Sequence, residues 1–377
     1  MKVVLAPDSF KGSLTAAQVA ECLARGVRRA VPDAVCVDVP VADGGEGTVA
    51  AAVAAGYTPI QVDVTGALGV PVAATYARRA GHAVIEMAAA AGLDQVGPDI
   101  RSARTAGTEG VGELIRHALD AGATDVLLGL GGSATSDGGA GLVRALGLGL
   151  TDAEGRPVHS GGAALIDLAE VDVTGLDPRI AATTFVLAAD VTSPLLGPAG
   201  AAAVFGPQKG ADEAAVADLE AGLSRWVDAL AEAGVPRAAE LARASGAGAA
   251  GGLGYAGLAL LGAQRRSGIE EVLRLVRFAE QVRGSDLVIT GEGSMDAQSL
   301  AGKAPVGVAA AAGAAGVPVL AVVGRCAVDE ATIREYGIGA VHALTDLEPD
   351  VHRCLANAAE LVDQAAERAV RAWNRRT

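Results

Sequence analysis

Aromatic side chains are scarce in this sequence, since Phe, Tyr and Trp together make up 3% of the chain. A core with so few large rings must be built from many small contacts between Ala, Val, Leu and Gly. Hydrophobic residues nevertheless make up 51% of the 377 residues, which is enough for two or three domains. Alanine-rich helices packed on strands of Val, Leu and Ile are typical of α/β proteins.

Positive charge is also in short supply. The 30 Lys and Arg residues stand against 44 Asp and Glu, which gives a net charge of −14. With no basic face to neutralise phosphates, the composition argues against nucleic acid or an anionic membrane as partner. A small anionic substrate is still compatible with this charge, because a few Lys or Arg side chains in a cleft act locally.

Cysteine and histidine form no recognisable pattern. The four cysteines are scattered without a C-x-x-C pair, which argues against zinc binding and disulfides, and the five histidines form no cluster. A G-x-S-x-G nucleophile elbow and an uninterrupted apolar run of membrane-spanning length are both missing. The opening residues "MKVVLAPDSF" are typical of a strand rather than a signal peptide, so we expect a cytoplasmic protein.

Both ends of the sequence alternate between strand and helix patterns. Strands are predicted over 2–6, 35–41, 285–291, 317–324 and 339–344. Helices are predicted over 13–31, with Ser13 or Thr15 as N-cap, and over 304–316, 329–337 and 350–375. Such alternation with short connections predicts βαβ units on a parallel sheet.

The middle of the chain has a different pattern. Three short alternating runs over 58–88 predict an antiparallel meander. A helix over 105–122, a strand over 184–191 and a long helix over 213–234 follow. We therefore predict an α/β protein of two domains. One domain is discontinuous and built from residues 1–57 and 285–377, and the other is a mixed α/β domain inserted over 58–284.

The stretch "LGLGGSATSDGGAG" (128–141) consists mostly of glycine and other small residues and directly follows a predicted strand. Such a composition is expected where the backbone closely approaches a ligand or another segment of the chain. Ligands in open α/β sheets bind beyond the carboxyl ends of strands, so residues that follow strands are informative. Five such stretches combine glycine with charged or hydroxyl residues, and they are 6–13, 40–48, 128–141, 189–211 and 291–305.

Phosphoryl transfer suits these five stretches, because it uses backbone amides and Lys around phosphates, and carboxylates for Mg²⁺ or for a hydroxyl proton. The Walker loop and the protein-kinase motifs are missing. A nicotinamide dehydrogenase is a rival interpretation, since "GLGGSA" (129–134) and "GAGAAG" (246–251) imitate the dinucleotide fingerprint. The glycine loop is also compatible with a plain structural turn, and the chain as a whole with a non-enzymatic sensor of sugar acids.

Taken together, the chain resembles the bacterial glycerate kinase family, the type that phosphorylates D-glycerate. The similar segments run in family order from residue 2 to about 325. They are "KVVLAPDSFKGSLTAAQVA", "PVADGGEGT", "GLGGSATSDGG", "DVTSPLLGPAGAAAVFGPQKGA", "GAGAAGGLG" and "DLVITGEGSMDAQSLAGKAPVGVA". The sequence departs from the family pattern at Ser136 and Ser193, where Asn is usual, and at Ser294, where a basic residue is usual.

The resemblance implies a flavodoxin-like domain built from both termini and an inserted mixed α/β domain, with the active site in the cleft between them. It implies the reaction of ATP with D-glycerate to give ADP and phosphoglycerate, with the 2-hydroxyl as acceptor, in glycerate catabolism. The sequence alone leaves open 2- or 3-phosphoglycerate as product, and a monomer or a homodimer.

Roles for individual residues follow as hypotheses. Asp8, Ser9, Lys11 and Arg325 are assigned to substrate, and the two cations among them to its carboxylate. Asp190 is the first choice for the base and Asp296 the second, with Lys11 as a further catalytic residue. Mg²⁺ takes one or two carboxylates, for which the candidates are Asp43, Glu46, Glu292 and Asp296. The residues assigned to the nucleotide phosphates are Gly131, Gly132, Ser133, Thr135, Lys209, Gln298 and Lys303.

Overall fold

The computed structural model describes residues 1–375. Its strands are β1 (Lys2–Pro7), β2 (Val35–Asp38), β3 (Thr58–Thr65), β4 (Pro71–Arg79), β5 (His82–Glu86), β6 (Asp125–Gly129), β7 (Gly149–Thr151), β8 (Glu170–Asp172), β9 (Thr184–Ala188), β10 (Gln264–Arg266), β11 (Leu287–Gly291), β12 (Ser294–Met295), β13 (Val319–Val323), β14 (Arg325–Cys326) and β15 (Ala340–Ala343).

The α-helices are α1 (Ala16–Ala30), α2 (Thr48–Ala54), α3 (Ala88–Ala91), α4 (Ile100–Thr105), α5 (Glu109–Asp120), α6 (Ala140–Ala145), α7 (Ala201–Phe205), α8 (Glu213–Glu232), α9 (Ala238–Leu241), α10 (Leu253–Leu260), α11 (Gly268–Leu275), α12 (Phe278–Gln281), α13 (Ala304–Ala314), α14 (Glu330–Glu335), α15 (Val351–Ala356) and α16 (Ala358–Asn374). Short 3₁₀ segments lie at Leu93–Gln95, Gly162–Asp167, Pro178–Ala182, Pro207–Lys209, Ala249–Gly252, Ser299–Ala301 and Leu344–Asp346. Within the described residues, no helix combines the length and the apolar composition needed to cross a membrane.

The first sheet is parallel and has the strand order β2-β1-β11-β13-β15. Counted along the chain within this sheet, that order is 2-1-3-4-5, the flavodoxin-like arrangement. The apolar runs of β1, β11 and β13 are buried almost throughout, as expected for parallel strands covered on both faces. The direction of the strand order reverses between β1 and β11, and ligands in such folds bind at that point beyond the carboxyl ends.

Helix α1 shows how the sequence builds this layer. Thr15, rather than Ser13, is the N-cap, and it forms a capping box with Gln18. The helix packs against α16 so closely that a Cβ on Gly26 would lie 2.2 Å from the carbonyl oxygen of Asp363. Glycine is therefore required at that crossing.

The second sheet is mixed, with the order β10-β9-β6-β5-β4-β3. The predicted meander is confirmed, because β3, β4 and β5 pair antiparallel to one another. Strands β5, β6, β9 and β10 run parallel, so their carboxyl ends share one edge. One α/β unit with a parallel sheet and one with a mixed sheet confirm the predicted fold class.

Contacts divide the chain into two compact units. The first contains residues 1–43, 50–56 and 267 onward, and the second contains residues 44–49 and 57–266. The boundaries predicted from the sequence place residues 267–284 in the inserted domain instead. They group with the first unit because Ile269, Val272 and Phe278 are buried in the same core cluster as Val4 and Val308.

Two predicted helices differ from the structure. The helix predicted over 105–122 begins only at Glu109, because α4 ends at Thr105 and the backbone of Thr108 is held by the carboxylate of Asp137. The single terminal helix predicted over 350–375 is two helices, α15 and α16. Asn357 between them has φ −111° and ψ 20°, which interrupts the regular helical backbone.

Candidate active site

Three carboxylates meet at the switch point of the parallel sheet. Asp8 follows β1, Glu292 follows β11, and Asp43 lies beyond β2. Burial, with the charges of Asp43 and Glu292, raises the pKa of Asp8 to about 8, although the amide of Ser9 donates to its Oδ1 at 2.6 Å. Burial likewise raises the pKa of Glu292 to about 7, and the charges of Asp296 and Asp43 add to this effect. Burial and the like charges of the cluster therefore favour the protonated forms of Asp8 and Glu292.

Glu292 is only partly satisfied by the protein. Its side chain is 7% exposed, and its Oε1 is buried with no hydrogen-bond partner among the described residues. A hydrogen bond from Ser299 and the charge of Lys303 oppose the rise of its pKa. A buried carboxylate oxygen without a partner is costly, so this position suits an added cation or proton.

Asp296 has a structural task next to this cluster. Its Oδ1 accepts hydrogen bonds from the amides of Gln298 at 2.9 Å and Ser299 at 3.3 Å, which holds the turn that contains Ser299–Ala301. The side chain of Gln298 is exposed. Lys303 is the residue directly before α13, so the glycine-containing turn and this helix place its charge near Glu292.

The proposed substrate residues lie on neighbouring loops of the same unit. Lys11 is exposed, and its loop covers Gly293. A Cβ on Gly293 would lie 3.3 Å from the backbone nitrogen of Lys11. Arg325 is exposed, and its Nε donates to Ser294 Oγ at 2.8 Å across the β12–β14 pair. Ser294, which departs from the family pattern, thus orients an arginine.

In the second unit, the glycine loop follows β6 and turns its hydroxyl residues inward. Ser133 and Thr135 are buried, with their hydroxyl oxygens 3.2 Å apart. Lys209 is 2% exposed, and its Nζ donates to the Thr135 carbonyl oxygen at 2.5 Å. Of the loop residues predicted to bind phosphate, Gly132 is exposed and Gly131 is half-buried.

The end of this loop is fixed by Asp137, which is 1% exposed. Its carboxylate accepts hydrogen bonds from the amide and hydroxyl of Thr108 and from the amides of Gly139 and Gly141, all between 2.8 and 3.1 Å. The helix that follows, α6, has six residues. It is too short to be the long helix that a dinucleotide fingerprint requires.

Segment 44–49 lies against the glycine loop in the same unit. A Cβ on Gly131 would come 2.5 Å from the Gly45 Cα, and a Cβ on Gly129 would come 2.5 Å from the Gly44 carbonyl oxygen. Glu46 on this segment is exposed. Glu86, at the end of β5, accepts the Val49 amide at 2.6 Å, and burial raises its pKa to about 7.

Glu86 is not among the residues predicted from the sequence. The only signal in the sequence is that Glu86 lies near the end of a predicted strand, and the structure places it in register with Gly129, the start of the glycine loop. Asp190 follows β9 on the other side of β6, at the same edge of the sheet. It is half-buried.

The structure thus brings the predicted site residues together in two clusters, one in each unit. The first-unit cluster comprises Asp8, Ser9, Lys11, Asp43, Glu292, Asp296, Gln298, Lys303 and Arg325. The second-unit cluster comprises Glu46, Gly131, Gly132, Ser133, Thr135, Asp190 and Lys209. In the part of the chain that is described, no group of three or more His, Cys, Asp or Glu side chains is arranged to hold a metal ion by itself.

Comparison with known proteins gives matches along nearly the whole chain. A model of the glycerate kinase family matches residues 3–374. Glycerate 2-kinase of Escherichia coli (strain K12) is 45% identical over 347 residues, which cover 91% of this chain and 90% of that protein. Glycerate kinase of Bacillus subtilis (strain 168) is 44% identical over 97% of this chain and 96% of its own length.

One solved structure is similar over the same length. It is a crystal structure from Salmonella typhimurium LT2, described as a glycerate kinase 2, and it is 43% identical to this chain. The TM-score is 0.84, and the match covers 99% of this chain and 98% of that one. The agreement in sequence and in fold therefore extends over both units.

Proposed function

The chain belongs to the glycerate kinase family and is a kinase, and we propose that it transfers the γ-phosphoryl group of ATP to the 2-hydroxyl of D-glycerate with Mg²⁺. The observation that carries this proposal is the cluster of Asp8, Asp43 and Glu292 at the switch point of the parallel sheet. The name of the Escherichia coli relative, a glycerate 2-kinase, supports the choice of the 2-hydroxyl. The cytoplasm is the proposed compartment.

The residues present fit a magnesium ion. Glu292 offers a buried oxygen without a hydrogen-bond partner, and its neighbours Asp43 and Asp8 add charge that a cation would offset. Mg²⁺ typically takes one or two protein carboxylates and completes its shell with waters and phosphate oxygens, so a full protein cage is not needed. When bound, the ion would neutralise charge on the phosphate oxygens.

Lys303, Lys11 and Arg325 are proposed to bind the anionic groups of the substrates. Lys303 lies before a helix and close to Glu292, so we assign it to the nucleotide phosphates. Arg325 is oriented through its Nε by Ser294 and is assigned to the glycerate carboxylate, which a guanidinium binds well, with Lys11 as second cation. Positioning of this kind is the main contribution a protein makes to phosphoryl transfer.

Asp190 is the proposed base. In the transfer step the 2-hydroxyl oxygen forms a bond to the γ-phosphorus, the bond from that phosphorus to the β,γ-bridging oxygen breaks, and the hydroxyl proton passes to Asp190. Asp296 is the second candidate, and its Oδ1 accepts two backbone amides.

The variant Asp190→Asn tests this assignment. We expect kcat to fall by about 10²-fold or more, because a general base contributes at least that much. Asp212→Asn is the matched control, since Asp212 is an exposed N-cap of α8 in the same unit and asparagine caps helices equally well. A wild-type kcat for Asp190→Asn would remove Asp190 from the role of base.

The reaction itself is tested by coupled release of ADP from Mg·ATP with D-glycerate, followed by phosphorus NMR of the product. Phosphate on the 2-hydroxyl is the expected result. Phosphate on the 3-hydroxyl would contradict the proposed regiochemistry. Absence of turnover with D-glycerate would contradict the proposed substrate, and other hydroxy acids would then be assayed in the same way.

A further inference from the structure

Glu86 has no task in the reaction as proposed, yet its carboxylate faces the amides of three consecutive residues. Its Oε1 accepts the Val49 amide at 2.6 Å, and the neighbouring amides of Gly47 and Thr48 oppose the rise of its pKa. These residues belong to segment 44–49, which includes the start of α2 and lies far from Glu86 in sequence. The contact therefore joins β5 to a distant loop of the same unit.

Segment 44–49 is shaped for a single conformation. Gly44 and Gly47 have φ values of 88° and 99°, which favour glycine. The buried Thr48 donates its hydroxyl to the Gly45 carbonyl oxygen at 2.8 Å. On the other side, the Gly45 backbone leaves no room for a Cβ at Gly131. Glu86 is thus the charged member of a set of contacts that fix this segment against the glycine loop.

Consecutive backbone amides after a glycine turn commonly form a cradle for a phosphate. In segment 44–49 that cradle is already filled by an internal anion, since the amides of Gly47, Thr48 and Val49 are directed at Glu86. A phosphate could bind these amides only by displacing Glu86. The group that the segment exposes to a ligand is instead the side chain of Glu46. The charge of Glu46 lies close enough to Glu86 to raise its pKa.

We propose that Glu86 is a positioning residue that holds segment 44–49 so that Glu46 stays at the carboxyl-terminal edge of the second sheet during phosphoryl transfer. The inference rests on the proposed function, because Glu46 is one of the carboxylates predicted from the sequence to bind the Mg²⁺ of that reaction. Without the Glu86 carboxylate, the Val49 amide loses its acceptor and the segment can shift. A displacement of about 1 Å of a catalytic group can lower a rate by about 10²-fold.

The experiment compares Glu86→Ala and Glu86→Gln with the control variants Glu113→Ala and Glu113→Gln. Glu113 also accepts a backbone amide, that of Thr65 at 2.7 Å, and lies in the same unit. For Glu86→Ala we expect kcat to fall by about 10²-fold, with the KM for D-glycerate changed by less than about threefold. Glu86→Gln keeps one acceptor oxygen and should lose less. The Glu113 variants should keep the wild-type kcat.

A double variant separates positioning from a general loss of structure. If Glu86 acts through Glu46, adding Glu86→Ala to Glu46→Ala should lower kcat no further, because the two changes remove one shared contribution. Independent, additive losses would overturn the proposal, as would a wild-type kcat in Glu86→Ala. If Glu86→Ala does not fold, a wild-type kcat in Glu86→Gln overturns it instead.

Hydrogen exchange gives a readout that does not depend on turnover. The amides of Gly47, Thr48 and Val49 should exchange faster in the Glu86 variants than in wild type, while the Thr65 amide should be unchanged. Unchanged exchange at residues 47–49 would overturn the proposal whatever the kinetics show. Failure of the proposed function would appear differently, as absence of turnover in the wild-type protein itself.

Discussion

Lys209 lies beneath the glycine loop, where its Nζ donates to the Thr135 carbonyl oxygen. Burial lowers its pKa from near 10.5 to about 8, and the charge of Asp137 only partly opposes this. Between these two values the unfolded chain binds the proton and the folded chain does not, so stability must rise with pH. We therefore expect the free energy of unfolding of wild type, relative to Lys209→Met, to rise from about pH 8 to about pH 10.5.

Urea unfolding of both proteins at several pH values across this range measures the difference, and the Met variant cancels the titration of all other groups. From the sequence, Lys209 is assigned to the nucleotide phosphates. Because Lys209 is only 2% exposed, its side chain supports the glycine loop from within. A difference that stays constant with pH would show that the ammonium group reaches solvent, as a phosphate ligand should, and a difference that falls would show that the folded state stabilises its charge.

The positions of single residues at strand ends were predictable from sequence where a local rule applied. Asp8 and Glu292 each follow a buried strand, and ligand positions in α/β sheets follow strands. Glu86 was not predictable by that rule alone, because "HAVIEMA" is typical of an alternating strand and its partners lie in segment 44–49. The inward direction of Lys209 likewise depends on contacts between distant segments.

At the scale of elements, the glycine-rich stretch 246–252 packs against the turn that follows Ser133. A Cβ on Gly251 would lie 1.9 Å from the Thr135 carbonyl oxygen and 2.7 Å from the Ser136 Cα. Gly262 has a similar φ, 61° against 64°, but a Cβ there would meet nothing within 4 Å. We expect Gly262→Ala to lower the free energy of unfolding by about 1 kcal/mol from backbone strain alone. Gly251→Ala should lower the free energy of unfolding by about 1–3 kcal/mol more than Gly262→Ala does, because the added methyl group overpacks the contact.

Denaturant unfolding of the two alanine variants measures this difference, and because both glycines lie in the second unit, the comparison concerns the same fold. An equal loss of free energy of unfolding in both variants would mean that the turn at residues 135–136 can move away from Gly251 freely. The imitation of a dinucleotide fingerprint in "GAGAAG" would then need another explanation, since close packing against residues 135–136 is the one that the structure offers.

Elements with strong local signals were predicted well. The capped α1, the antiparallel pairing of β3, β4 and β5, and the long α8 all agree with the sequence pattern. The ends of α5 and the break at Asn357 were not predicted. Helical periodicity continues across residues 350–375, so it gives no sign of the backbone change at Asn357, and Thr108 is drawn out of the helix by Asp137 from a different loop.

On the scale of the whole molecule, the first-unit cluster exists only after long-range folding. Asp8 and Glu292 come from opposite ends of the chain, and the pairing of β1 with β11 brings them together. The alternating pattern at both ends made this discontinuous unit predictable. The place of residues 267–284 was not, because the sequence of α11 shows an apolar face but not the core that this face joins.

Because the cluster forms only in the folded chain, a cation that binds it must stabilise the folded state. Protons compete for the same oxygens, since the pKa values of Glu292 and Asp8 are raised to about 7 and about 8. At about pH 6 both carboxyls are mainly protonated, and above about pH 8 both are mainly ionised, so binding must strengthen as pH rises. We expect Mg²⁺ to raise the Tm of the protein more at about pH 8.5 than at about pH 6.

Thermal unfolding with Mg²⁺ or with EDTA, at both pH values, measures this effect. Glu292→Gln removes the buried carboxylate and should abolish most of the shift, whereas Glu280→Gln, at an exposed glutamate of the same unit, should leave it intact. A shift that is equal in wild type and in Glu292→Gln would place the cation elsewhere. A larger shift at the lower pH would show that the raised pKa values are not those of the binding groups, since ionised carboxylates are the form that Mg²⁺ requires.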